Sequence, residues 1–218
     1  GNEIKSEKKL KKQDFQLAVP YFKDADRIKI YDEDNKLVLS KKIELKIEES
    51  TTQNNCVALI ENGEQEIKIN VVFVPDGYID LNQFREDVLK HIDLNAQYQG
   101  ILSREPLNEN KNRFNFYYIN EILDYNCEYG CSNLEILDKA SQCGYSNQAI
   151  VLTNTNTYFG YATTGFAAAP GYTGVLAGSS FVTGPMITSH EFGHSFGELA
   201  DEYFSLYSIS ATSKANCD

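Results

Sequence analysis

The strongest constraint on this chain lies at His190-Glu191-Phe192-Gly193-His194-Ser195-Phe196-Gly197-Glu198-Leu199-Ala200-Asp201-Glu202-Tyr203. On a helix, two histidines four residues apart project from one face a single turn apart, so that both can reach one metal ion. Glu191, beside the first histidine, can then serve as general base towards a water at that ion. The chain has three histidines, and two of them are here. The spacing points to zinc-dependent hydrolysis with His190 and His194 as metal ligands and Glu191 as the catalytic base.

Zinc in a catalytic site takes a third protein ligand and leaves the fourth position open. The 24 residues after His194 contain neither histidine nor methionine, so the nearby candidates are Glu198, Asp201 and Glu202. On an unbroken helix Asp201 would stand about 16 Å along the axis from His190, too far to share an ion. The helix must therefore stop. Gly197 is the expected left-handed residue at its end, after which the chain turns back and returns Asp201, or else Glu202, to the metal. A helix that ran on would require a ligand from elsewhere, such as His91. Glu198 and Glu202 otherwise read as solvated carboxylates or as groups orienting a ligand histidine.

A formal charge of −11 argues against nucleic acid or an anionic membrane as partner, and no apolar run reaches membrane-spanning length. Residues 1–12 hold five lysines and no aromatic residue, and read as a flexible tether and not as a signal peptide. Of five cysteines, Cys127, Cys131 and Cys143 fall in one loop-like stretch with spacing unsuited to zinc. A loop-stapling disulfide among them is expected, with the pairing open, and it suits an extracytoplasmic setting.

Residues 27–47 alternate apolar and polar about a turn at 32–35, and residues 56–60 add a further strand. The turn signal at 61–64 predicts a hairpin from there into residues 67–69. Residues 70–74 are uninterrupted apolar, as in a strand buried on both faces. A helix with Asp80 as N-cap follows over 81–92, then a strand over 112–119, a short helix over 132–140 and a third buried strand over 148–152. Strand, helix and strand in this order predict a mainly parallel sheet. His91 lies by the apolar stripe of its helix and reads as a packing or surface residue. Residues 153–184 carry no charge and read as loops with a short edge strand at 174–177, where an extended substrate could add as a strand.

H-E-x-x-H-x-x-G followed by an acidic residue resembles the metzincin pattern, although position +10 from His190 is Ala200 and the aspartate comes one residue later. The longer string from His190 to Tyr203 resembles the bacterial immunoglobulin-A peptidase family, as do residues 72–78 (Val-Phe-Val-Pro-Asp-Gly-Tyr) and 112–117 (Asn-Arg-Phe-Asn-Phe-Tyr). The similarity runs over roughly residues 70–204. It implies a secreted or surface-exposed zinc metallopeptidase with a β-rich N-terminal domain. Metzincins also carry a methionine turn after the zinc helix, whereas Met186 here precedes the motif. Either the chain is cut short after Asp218 or the histidines are supported differently.

The expectation is thus an α/β (α+β) chain: a tether (1–12), a small antiparallel β-rich accessory domain (13–66) and a zincin-like catalytic domain with a mainly parallel mixed sheet (67–218). It is expected to cleave protein or peptide substrates outside the cytoplasm. His190, His194 and Asp201 would hold Zn²⁺, Glu191 would be the base, and Tyr203 is a positional candidate for stabilising the oxyanion. The competing reading is a surface binding module with a vestigial zinc site, against which the intact Glu191 speaks.

Overall fold

A computed structural model describes residues 27–32, 34–42 and 55–201. The chain divides between Thr51 and Thr52 into two units. In the first, β1 (Arg27–Tyr31) and β2 (Leu37–Lys42) form an antiparallel hairpin. Its turn is closed by the Asp32 carboxylate, which accepts the N–H groups of Asp34 and Lys36, while Asn35 takes the left-handed conformation (φ 60°). The predicted strand continuing to residue 47 lies outside the described residues.

The second unit is built on the apolar run that the sequence marks as central. β4 (Ile69–Asp76) is buried from Asn70 to its end and lies between two strands parallel to it, β5 (Phe114–Ile119) and β6 (Gln148–Thr153). β8 (Phe166–Pro170) extends the parallel set beside β6. Antiparallel strands close the two margins: β3 (Cys56–Ile60) on β5, and β7 (Tyr161–Thr163) on β8. The order is β3-β5-β4-β6-β8-β7, a mixed and mainly parallel six-stranded sheet with helices, as the sequence predicts.

Two local expectations are corrected. The hairpin from residues 56–60 into 67–69 does not form, because β3 pairs with β5 and not with β4. Residues 61–68 make a longer connection containing a 3-10 turn, Gln65–Ile67. The edge strand is β7, while residues 174–177 make only isolated bridges, Val175 to Thr183 and Ala177 to Thr157.

Side-chain alternation along the strands divides the core into two faces. Val71, Phe73, Ile150, Leu152, Ala167 and Ala169 point to the face covered by α1 (Leu81–Ile92) and α3 (Gly184–Gly197). Val72, Val74, Ala149, Val151 and Ala168 point to the face covered by α2 (Asn133–Ala140). Each fully buried Phe, Val, Ile or Leu contributes about 1.5–3 kcal/mol. The alanines of β8 offer little bulk, so α3 lies close upon that strand.

Asp80 caps α1, its Oδ1 accepting from the N–H of Asn82 at 2.9 Å. At the far end Asp93 is left-handed (φ 59°), and its buried carboxylate takes the N–H groups of Gln97, Tyr98 and Gly100. The Asp76 carboxylate, at the end of β4, accepts the N–H groups of Tyr125 (2.5 Å), Asn126 (3.0 Å) and Cys127 (2.9 Å) and the hydroxyl of Thr153 (2.8 Å). It thereby pins the loop after β5 to the top of the sheet. Disulfides join Cys127 to Cys131 and Cys56 to Cys143. The first is the expected loop staple. The second ties marginal strand β3 to the segment after α2, a pairing across 87 residues that loop spacing does not foretell. No helix among the described residues is long and apolar enough to cross a membrane.

Candidate metal centre

α3 carries the H-E-x-x-H pattern and is anchored along its length. Near its start, His91 of α1 is fully buried, with Nδ1 2.7 Å from the Thr188 hydroxyl and Nε2 3.1 Å from the Gly171 carbonyl. A carbonyl only accepts, so Nε2 carries the proton and Nδ1 accepts from Thr188. Burial holds this imidazole neutral, lowering its pKa to about 3, with a smaller opposing contribution from the bond to Gly171. His91 is thus a packing group joining two helices, and the route that would have drawn it to the metal is not taken. Near the end of α3, the carbonyl of Ser195 accepts from Gly165 N–H (3.1 Å) and from Gln148 Nε2 (3.3 Å). Phe114, Phe192 and Phe196 pack together beneath the same turn.

The helix stops where the axial argument requires, but the left-handed residue is Glu198 (φ 52°), one position after the expected Gly197. The N–H groups of Glu198 and Leu199 both turn back to the Gly193 carbonyl. Gly197 contributes by its lack of a side chain: a Cβ there would stand 3.3 Å from Leu199 Cγ. Leu199 settles over this bare surface, and its carbonyl reaches His194 Nδ1 at 2.6 Å.

That contact sets the chemistry of the site. His194 Nδ1 must donate to a carbonyl, which leaves Nε2 of the neutral ring as a lone pair. Nε2 of His194 lies 3.0 Å from Nε2 of His190 and 3.0 Å from Asp201 Oδ1, and the third side, His190 to Asp201, is 3.2 Å. Ligand atoms about 2.0–2.1 Å from a tetrahedral zinc ion stand about 3.3–3.4 Å apart. The three residues therefore fit such an ion to within a few tenths of an ångström. They form a candidate metal site in the described part of the chain. With 43% of the His190 and Asp201 side chains exposed, the side facing away from the helix is open to a further ligand.

Glu191 points away from solvent, with 7% of its surface exposed. Gly160, immediately before β7, lies against it: a Cβ at that position would fall 2.6 Å from Glu191 Oε1 and 2.6 Å from Ile187 Cγ2. Burial pushes the Glu191 carboxyl up to about 7, opposed by the nearby His194 and reinforced by Asp201.

The structure brings His190, His194 and Asp201 to one point and sets Glu191 beside them. Glu202 and Tyr203, the alternative ligand and the oxyanion candidate, lie outside the described residues. Met186 sits in the first turn of α3. Sequence reasoning passed over the Leu199 carbonyl, because a backbone acceptor has no residue signature. It also passed over Gly160, whose value is the absence of a side chain against Glu191, and a glycine in an uncharged loop gives no hint of that.

Two imidazoles from α3 and a carboxylate from the residues that follow it converge beside a buried glutamate, a donor set that could hold a metal ion. Over residues 129–215 the chain matches the model of the IgA Peptidase M64 family, which supports a peptidase acting on protein substrates. The matched stretch contains His190, Glu191, His194 and Asp201. The similar motifs on β4 and β5 fall before it. No curated protein sequence matches the chain.

Proposed function

We propose that this chain is a zinc-dependent endopeptidase in which His190, His194 and Asp201 hold the ion and Glu191 is the general base. The observation that carries the reading is the convergence of His194 Nε2, His190 Nε2 and Asp201 Oδ1 within 3.2 Å, with the His194 lone pair directed there by the Leu199 carbonyl. When bound, zinc supplies a Lewis acid that lowers the pKa of its water towards about 7 and polarises the scissile carbonyl.

Glu191 accepts a proton from the water as its oxygen bonds to the carbonyl carbon, then passes that proton to the amine nitrogen, after which the peptide C–N bond breaks and the amine leaves. A base in this role works best with a pKa near the working pH, and its burial acts in that direction. Asp201 neutralises one charge of the ion and keeps His190 and His194 from drifting apart.

An extended polypeptide can pair with the outer edge of β7, which has only β8 as a strand neighbour among the described residues. The uncharged loops around it expose Tyr158, Tyr172, Val175 and Phe181, which suit apolar substrate side chains. Two disulfides favour an extracytoplasmic site of action, secreted, periplasmic or at the cell surface.

The test is Glu191→Gln. It should keep one equivalent of zinc by elemental analysis and lose peptide hydrolysis by at least about a hundredfold. Hydrolysis at the parent rate would refute the assignment.

A further inference from the structure

β7 is a weak element to place beside a catalytic glutamate. It has three residues and one strand neighbour among those described, and strands so short hold poorly on ladder bonds alone. A second attachment comes from its first side chain. The phenol oxygen of Tyr161 accepts the N–H of Cys131 at 3.0 Å and donates to the carbonyl of Cys127 at 3.1 Å. It also touches Cys131 Sγ at 3.2 Å. The two backbone groups it grips are the two ends of the small loop closed by the Cys127–Cys131 disulfide.

That loop is itself fixed, since Cys127 N–H donates to Asp76 at the end of β4. The Tyr161 ring packs on Phe166 of β8, with centroids 5.9 Å apart. A continuous path thus runs from the centre of the sheet through Asp76, the disulfide loop and Tyr161 to Gly160. The last of these is the residue whose backbone lies against Glu191 Oε1.

We propose that Tyr161 is a positioning residue, and that the Cys127–Cys131 loop is the clamp through which it acts. Together they hold the edge of β7 and the backbone of Gly160 in fixed relation to Glu191, so that a polypeptide paired along β7 presents its scissile bond to that carboxylate. The proposal rests on the peptidase reading for its consequence, but its structural core is independent of activity. The clamp needs both parts. Without the phenol hydroxyl the loop loses its hydrogen bonds to β7, and without the disulfide the carbonyl of Cys127 and the N–H of Cys131 keep only the turn bond from Gly130 N–H to that carbonyl to hold their spacing.

The experiment compares the full chain with Tyr161→Phe, which keeps the ring, with Cys127→Ser/Cys131→Ser, and with the triple variant. Amide hydrogen exchange at residues 160–163 should quicken about threefold to tenfold in each, as for the loss of one hydrogen bond. Zinc content should stay at the parent level. The triple variant should be no faster than either parent variant, because both changes open one clamp. The kcat/KM for a peptide long enough to lie along β7 should fall by a similar factor, while a substrate spanning only the scissile bond is spared. Unchanged exchange at 160–163, additive effects in the triple variant, loss of zinc, or equal losses on long and short substrates would each overturn the proposal. If the zinc-loaded parent hydrolyses no peptide at all, the peptidase reading fails alone, and the exchange data still decide whether the clamp exists.

Discussion

The Leu199 carbonyl stands 2.6 Å from His194 Nδ1, so the residue that follows the helix break chooses which nitrogen of the histidine before the break carries a proton. Metal-site histidines need such a partner, because a ring with the wrong tautomer offers N–H where a lone pair is required. Here the partner belongs to the short stretch after α3, residues 198–201, that also carries Asp201. On the proposed zinc reading, ligand orientation and ligand supply come from one piece of backbone.

Asp201→Ala should therefore lower zinc affinity by more than about a hundredfold, beyond the 10–100-fold typical of outer-shell changes. Competition with a chromophoric chelator measures this. Glu198→Ala, one position after the helix end, should stay within about tenfold of the parent. If Asp201→Ala held zinc as tightly as the parent, the third ligand would have to be sought elsewhere.

Gly160→Ala introduces a methyl group 2.6 Å from Glu191 Oε1 and from Ile187 Cγ2, distances at which something must move. The carboxylate is the more mobile neighbour. The expected result is a fall in kcat of about tenfold or more with zinc content intact, since displacements near 1 Å can cost a hundredfold. Loss of zinc together with activity would show instead that α3 itself had shifted.

His91 makes stability depend on pH. Its ordinary pKa is 6.5, and burial lowers it to about 3 in the folded chain. Below pH 6.5 the unfolded chain gains a proton that the folded chain refuses, so stability present above pH 6.5 drains away as pH falls towards 3. One proton across that window amounts to something on the order of 5 kcal/mol. Urea unfolding between pH 7 and pH 4 should show a slope one proton steeper for the parent than for His91→Gln. Parallel curves would mean that His91 is not the titrating group.

The Cys56–Cys143 bridge closes a span of 87 residues. Chain-entropy arguments give a loop of that size about 4–5 kcal/mol, an upper figure for a bridge between elements already packed together. Cys56→Ser/Cys143→Ser should lower Tm by on the order of 10 °C in calorimetry. The centre of the site should still bind zinc below that temperature, because the bridge lies at the β3 margin, far along the sheet order from β8 and α3.

What the sequence disclosed and what it hid follow from the range of the interactions involved. The buried run of β4, the Asp80 cap and the His190/His194 spacing are local patterns whose physics is complete within a dozen residues, and they read directly. The return of Asp201 followed from a length argument, and only its left-handed residue was misplaced, on Gly197 and not Glu198. The pairing of β3 with β5 is a choice among distant partners, and the turn signal at 61–64 pointed to the nearer one. β8 was hidden for another reason: its three alanines have low strand propensity, and their smallness serves the approach of α3. The clamp around Tyr161 depends on backbone groups brought together by folding, which no reading of residue types would pair.

The Asp76 carboxylate also limits which neighbours this sequence can have in evolution. It accepts three backbone N–H groups and one hydroxyl and has nothing to donate. Asparagine has the same shape but would turn an NH₂ towards N–H groups that have no acceptor to offer it. The nearest isostere is therefore expected to cost about 1–3 kcal/mol at this position. A side chain other than aspartate there leaves at least one of the N–H groups of residues 125–127 facing no acceptor unless that segment is rerouted.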